Sequence, residues 1–111
     1  MEIGNKDIHY HLIEAAKLND QAAQFELYNL YVKAMLNVSF RIVNDRDEAE
    51  DVIQDAFINV FKNITKYRGE SSFGAWVKRI VVNANKEKQE ISVNATKIDE
   101  NVGGKYIDKK R

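Results

Sequence analysis

The groups in this sequence best placed to act on something outside the chain are Glu50, Asp51, Gln54 and Asp55, with Asn59 and Lys62 a turn further on. At helical spacing they fall along one strip. The strip is acidic, since Arg46 is the only base between Asp45 and Asp55. Carboxylates in a helix's first turn are favoured by the positive end of its dipole, an effect that fades within a turn. The dipole therefore accounts for Asp47 and Glu48 but gives no internal reason for Asp51 and Asp55, which marks the strip as a surface for a partner.

A second constellation surrounds Gly69, where Tyr67 and Arg68 precede it and Ser71 and Ser72 follow. Serine hydroxyls and backbone amides at a helix N-terminus suit phosphate oxygens. An aromatic ring with a nearby amide, here Tyr67 with Asn83, suits an unstacked base. Lys78, Arg79, Lys86 and Lys88 can track a nucleic-acid backbone, diluted by Glu87 and Glu90. Taken alone, the same residues read first as structure: Tyr67 packs on a bundle, Asn83 faces water and the lysines solubilise a helix. A motif is needed to overturn that reading.

Catalytic arrangements are poor. His9 and His11, the only histidines, are two apart and so do not share a helix face. No Glu-x-x-His pair offers the ligands of a carboxylate-bridged metal site in a bundle. The absence of cysteine removes thiolate nucleophiles, thiolate metal sites and disulfides. Neither a Gly-x-Ser-x-Gly elbow nor a glycine-rich loop ending in Lys-Ser/Thr is present. The reading is of a protein that is not an enzyme and uses no metal or cofactor.

The elements that must carry these groups are helical. The chain has 111 residues, 44% hydrophobic and 31% charged, with no proline, which fits one helical domain with its own core. A formal net charge of zero gives no whole-molecule attraction to nucleic acid, so any such binding must be local. No leader or membrane-length apolar run is evident, and a cytoplasmic protein without membrane insertion is expected.

After a frayed start over 1–6, apolar spacing predicts a helix from about Asp7 to Lys17, with Asn19-Asp20 as the break. A second, central helix is expected from about Gln21 to Val43. Phe25, Tyr28, Val32, Met35, Leu36, Ser39, Ile42 and Val43 lie on one face of it, and Leu27, Tyr31, Ala34 and Val38 on another. The acidic helix follows, with Asp45 as N-cap and Glu48 completing a capping box. Its apolar stripe is Ala49, Val52, Ile53, Ala56, Phe57, Val60, Phe61 and Ile64. A fourth helix, capped by Ser71 or Ser72, carries Phe73, Trp76, Val77, Ile80, Val81 and Ala84 inward and frays near Glu90. The expected architecture is an all-α compact bundle of about four helices over 1–90, with 91–111 as a polar linker or tail.

Read together, Glu50-Asp51-Val52-Ile53-Gln54-Asp55-Ala56-Phe57, then Tyr67-Arg68-Gly69-Glu70-Ser71-Ser72-Phe73, then Trp76 and Arg79-Ile80 with Asn83, resemble region 2 of bacterial sigma factors. The closest type is the extracytoplasmic-function (ECF) group. The resemblance covers about Leu12 to Glu90, with the motifs in the family's order. It implies a promoter-recognition domain that binds the β′ clamp helices of core RNA polymerase through Glu50, Asp51, Gln54, Asp55 and Asn59. It also implies that the domain opens the minus-ten element and captures a flipped base of the non-template strand. Tyr67, Ile80 and Asn83 match pocket positions, and Arg68, Ser71, Ser72, Lys78, Arg79 and Lys86 are neighbours or backbone contacts. Phe73, Trp76 and Ile53 are expected to hold the fold. An anti-sigma protein is a further expected partner.

The sequence departs from the family at Glu90, where many members carry a base. A family member's second helical domain, which reads the minus-thirty-five element, is expected to be absent, with 91–111 as the start of the linker to it. The alternative reading is a sigma-like interaction module that binds polymerase or an anti-sigma protein without recognising promoters.

Overall fold

The computed structural model describes the backbone over residues 7–103 and side chains over 7–88. The expected start over 1–6 and the last residues, 104–111, lie outside the described residues. Four helices follow in order: α1 (Tyr10–Lys17), α2 (Gln21–Val43), α3 (Arg46–Lys62) and α4 (Phe73–Gly103), with a 3-10 turn over Ile64–Lys66 between the last two.

Local chemistry sets each boundary. α1 begins at Tyr10, later than the expected Asp7, because Asp7 is consumed in a turn: its carbonyl accepts from the Tyr10 amide and its Oδ1 from the His9 amide, each at 3.0 Å. α1 ends at Lys17 with Leu18 as its C-cap, followed by Asn19 at a φ of 70°, a left-handed conformation that asparagine tolerates. Asp20 then caps α2, its Oδ1 accepting from the Ala23 amide at 3.1 Å. Asn44, left-handed at φ 57°, closes α2, and Asp45 caps α3 by accepting from the Glu48 amide at 2.9 Å. A connection of Asn44 and Asp45 alone folds α3 back along α2.

Packing follows the predicted stripe on α3. Ala49, Val52, Ile53, Ala56, Phe57 and Val60 are buried there, and Ile64 continues the stripe in the 3-10 turn. Burial of each large apolar chain contributes about 1.5–3 kcal/mol. α2 is the spine, in contact with α1, α3 and α4. Its two expected stripes need correction, because Phe25 is 66% exposed and Ala34 also faces solvent. Ala23 and Leu27 set the inward direction of the first turns, and Phe25, two residues from each, falls roughly 160° away from them around the helix. Ala34 is exposed although Tyr31 and Val38, on either side of it in the second stripe, are half-buried.

α4 presents Phe73, Val77, Val81 and Asn85 to the interior at every fourth residue. Its first turn lies close against α2: a Cβ built on Gly74 would stand 3.2 Å from Cε1 of Tyr31, so a larger residue would push that ring. Deep in the bundle, Ser39 and Asn85 are both at zero exposure. The Ser39 hydroxyl donates to Asn85 Oδ1 at 2.9 Å with Ala49 O at 3.4 Å, and Asn85 Nδ2 donates to Val81 O at 2.8 Å. This pair ties α2 to α4 beside the first turn of α3.

The expected fraying near Glu90 is corrected, since α4 continues as helix to Gly103. Nothing between Gly74 and Gly103 breaks the ladder: the segment holds no proline and no glycine, and it includes alanine, lysine, glutamate and glutamine.

Candidate functional site

α3 lays its charged groups where its apolar stripe is not. Glu50, Asp51, Gln54, Asp55 and Asn59 are all exposed. Glu50 is approached by Arg46 Nε at 3.5 Å, a solvent-exposed pair of little energetic weight. The side chains of Asp51, Gln54 and Asp55 form no hydrogen bond or ion pair with other described residues, so the fold does not employ them. Grooves flank this ridge on both sides. Toward α4, a groove of about 540 Å³ is lined by Val52, Asp55, Ile58, Asn59, Ala84, Glu87 and Lys88. Toward α2, one of about 490 Å³ is lined by Gln21, Gln24, Phe25, Tyr28, Gln54, Phe57, Ile58 and Phe61. Phe25 at 66% and Ile58 at 64% exposure make the second groove markedly apolar.

The loop before α4 departs from expectation in two respects. Tyr67 is only 6% exposed, so it does not offer an open ring face for stacking. Its ring packs edge-on to Phe73 at 5.3 Å and tilted against Trp76 at 5.4 Å, and its hydroxyl donates to Ser71 O at 2.6 Å. The aromatic character that suited a base is spent on the core beneath the loop. In addition, three amides in the first turn of α4 already have acceptors. Phe73 N donates to Asp7 Oδ2 at 2.8 Å, Ala75 N to the Ser72 hydroxyl at 3.1 Å, and Trp76 N to Ser72 O at 3.0 Å. Ser72 is thus the N-cap of α4, while Ser71 donates its hydroxyl to Ser72 O at 3.2 Å. Gly69, at φ 79°, supplies the left-handed bend between Tyr67 and Ser71.

Buried phenols near a carboxylate resist ionisation. Burial, then the charge of Asp7, and last Tyr67, push Tyr31 up to about 12. Burial and then Asp7 raise Tyr67 as well, which keeps its hydroxyl a donor to Ser71.

On α4 the candidate residues divide. Arg79, Asn83 and Lys86 are exposed and recur at intervals of three and four, so they share a face, with half-buried Ile80 at its edge. Lys78 is exposed but lies two residues from Ile80, roughly 160° around the helix from it. Arg68 is exposed in the loop. Arg79, Asn83 and Lys86 therefore form one exposed face of α4, flanked by half-buried Ile80 on one side and exposed Lys78 on the other.

Sequence reasoning missed Asp7 and Lys17, which hold the loop from outside. Lys17 Nζ donates to Tyr67 O at 2.8 Å across 50 positions of sequence, and Asp7 reaches Phe73 across 66. No local pattern announces pairings at such separations.

Comparison with known proteins identifies the family. The family described as sigma-70 region 2 matches residues 27–88. The RNA polymerase sigma-H factor of Pseudomonas aeruginosa is 36% identical over 75 residues, which cover 68% of this chain and 39% of that protein. The ECF RNA polymerase sigma-E factor of Escherichia coli is 35% identical over 75 residues, with the same two coverages. The ECF RNA polymerase sigma factor SigW of Bacillus subtilis is 31% identical over 71 residues, covering 64% of this chain and 38% of that protein. The chain thus spans about two fifths of the length of the curated relatives it matches.

Proposed function

The chain belongs to the sigma-70 region 2 family, and from that premise we propose that it is the promoter-recognition domain of an ECF-type sigma factor. In this reading α3 docks on the β′ clamp helices of core RNA polymerase through Glu50, Asp51, Gln54, Asp55 and Asn59. The loop and α4 then capture the non-template strand of the minus-ten element through Arg68, Ser71, Arg79, Ile80, Asn83 and Lys86, with Lys78 reaching the backbone from a separate flank. Tyr67 and Ser72 support the loop from below. The domain works by binding, in the cytoplasm, and catalyses nothing itself. An anti-sigma protein would compete for the same surfaces. Residues 1–90 form the working domain, and the remainder serves as a linker or tail whose first part is helical.

The observation that carries this reading is the α3 strip, where Asp51, Gln54 and Asp55 stand exposed above a fully apolar inner face and have no part in holding the fold. Exposed polar groups without a structural role are those that a partner can select. The test is binding of the purified chain to core polymerase, or to a β′ clamp-helix fragment, with the Asp51→Ala/Gln54→Ala variant as control. Wild-type binding that the variant loses supports the reading; a well-folded chain that does not bind refutes it.

A second reading draws on the buried ring of Tyr67 and the occupied amides at the start of α4. It is a module that binds polymerase or an anti-sigma protein without reading promoters. Sequence-dependent, salt-sensitive binding to single-stranded oligonucleotides distinguishes the two, because the module predicts neither.

A further inference from the structure

We propose that Asp7 and Lys17 are positioning residues for strand capture: α1 is a strut whose two ends hold the two ends of the capture loop. This rests on the reading of the loop and α4 as the DNA-binding surface. Both residues lie outside the positions matched by the family, 27–88.

The loop runs from Tyr67, where the 3-10 turn gives way to extended backbone, to Phe73, the first residue of α4. Lys17, the last residue of α1, donates from Nζ to the Tyr67 carbonyl at 2.8 Å and so fixes the loop's beginning. Asp7, just before α1, fixes its end, with Oδ2 accepting from the Phe73 amide at 2.8 Å while Oδ1 accepts from the His9 amide at 3.0 Å. The Phe73 amide is one that a helix leaves without an internal acceptor, and a carboxylate there also meets the positive end of the helix dipole. Between the anchors, 8 residues of α1 set a span of about 12 Å. The Tyr67 hydroxyl braces the middle of the loop against Ser71.

Lys17 is not available to phosphate. Its side chain is 22% exposed, and its ammonium lies 3.3 Å from Glu14 Oε2 and 5.7 Å from the Tyr67 ring centre, besides its bond to the carbonyl. It therefore acts on DNA through the loop. A loop ordered before binding saves the strand the cost of ordering it, so loosening either anchor weakens capture without removing a contact.

The experiment uses the full chain and a fluorescein-labelled single-stranded oligonucleotide selected from a random pool on the wild-type protein. Binding is measured across a salt series for Lys17→Met, Asp7→Ala and the conservative Lys17→Arg, with binding to a β′ clamp-helix fragment alongside. Lys17→Met and Asp7→Ala are each expected to weaken oligonucleotide binding roughly tenfold, the scale of one charge-assisted hydrogen bond. Lys17→Arg should restore most of the loss, fragment binding should hold, and Asp7→Ala should lose hydrogen-exchange protection at the Phe73 amide.

The salt slope of Lys17→Met is expected to match wild type. A slope lower by roughly 0.7 would make Lys17 a phosphate contact and overturn the proposal. Wild-type affinity in both loosened variants, or parallel loss of DNA and fragment binding, would also overturn it while leaving the functional reading standing. If the pool yields no binder to the wild-type chain, the DNA-binding reading falls, and this proposal with it.

Discussion

Replacing Ser39 by alanine removes the hydroxyl that donates to Asn85 Oδ1 at 2.9 Å, in a place where both residues have zero exposure. Water cannot supply the missing proton, so a buried acceptor is left unsatisfied at a cost of about 1–3 kcal/mol. For a domain of this size that lowers the melting temperature by roughly 5–20 °C. The other side of the pair behaves differently. In Asn85→Leu the Ser39 hydroxyl still has Ala49 O at 3.4 Å as an acceptor, and the bulkier leucine replaces the amide with apolar contact at some cost in crowding. Combining Ser39→Ala with Asn85→Leu removes both polar partners and replaces them with apolar contact, which costs less than a buried acceptor left unsatisfied. The double variant is therefore expected to be more stable than Ser39→Ala alone. Urea unfolding followed by circular dichroism measures this, with unchanged denaturant slopes confirming comparable native and unfolded states. A Ser39→Ala variant as stable as wild type, or a double variant that loses the sum of the two single effects, would refute the argument.

Asp51→Ala/Gln54→Ala should leave helicity and melting temperature nearly unchanged while binding to the β′ clamp-helix fragment falls about tenfold or more, as read by fluorescence anisotropy. Tyr67→Ala, because the ring is buried among Phe73 and Trp76, should destabilise the domain by about 3–5 kcal/mol in urea titrations and impair both surfaces together. Tyr67→Phe, which keeps the ring, is the variant for testing DNA capture. Alkali should destabilise the protein in part through Tyr31. The folded phenol ionises at about 12 against an ordinary value of 10.0, so its contribution to stability is complete below pH 10 and is lost as pH rises toward 12. Tyr31→Phe should flatten that part of the stability profile, with phenolate absorbance of the wild type rising in the same range.

What the sequence determined by itself was everything governed by near neighbours. The caps at Asp20, Asp45 and Ser72 form bonds within three residues, and the α3 stripe repeats within two turns, so both could be read from spacing alone. The outward direction of Glu50, Asp51, Gln54, Asp55 and Asn59 follows from the same period, because a helix that buries one face must expose the other. Tertiary structure decided the rest. Phe25 was misplaced because α2 changes neighbours along its length, and only the positions of those neighbours fix which direction is inward. Tyr67 and the first amides of α4 looked available to a base and a phosphate, since their actual partners are distant in sequence. Lys17 reaches the Tyr67 carbonyl from 50 positions away, and Asp7 reaches the Phe73 amide from 66. A helix period carries no information about a carboxylate delivered by another helix's approach, and that approach is what turns an apparently open phosphate site into a braced loop.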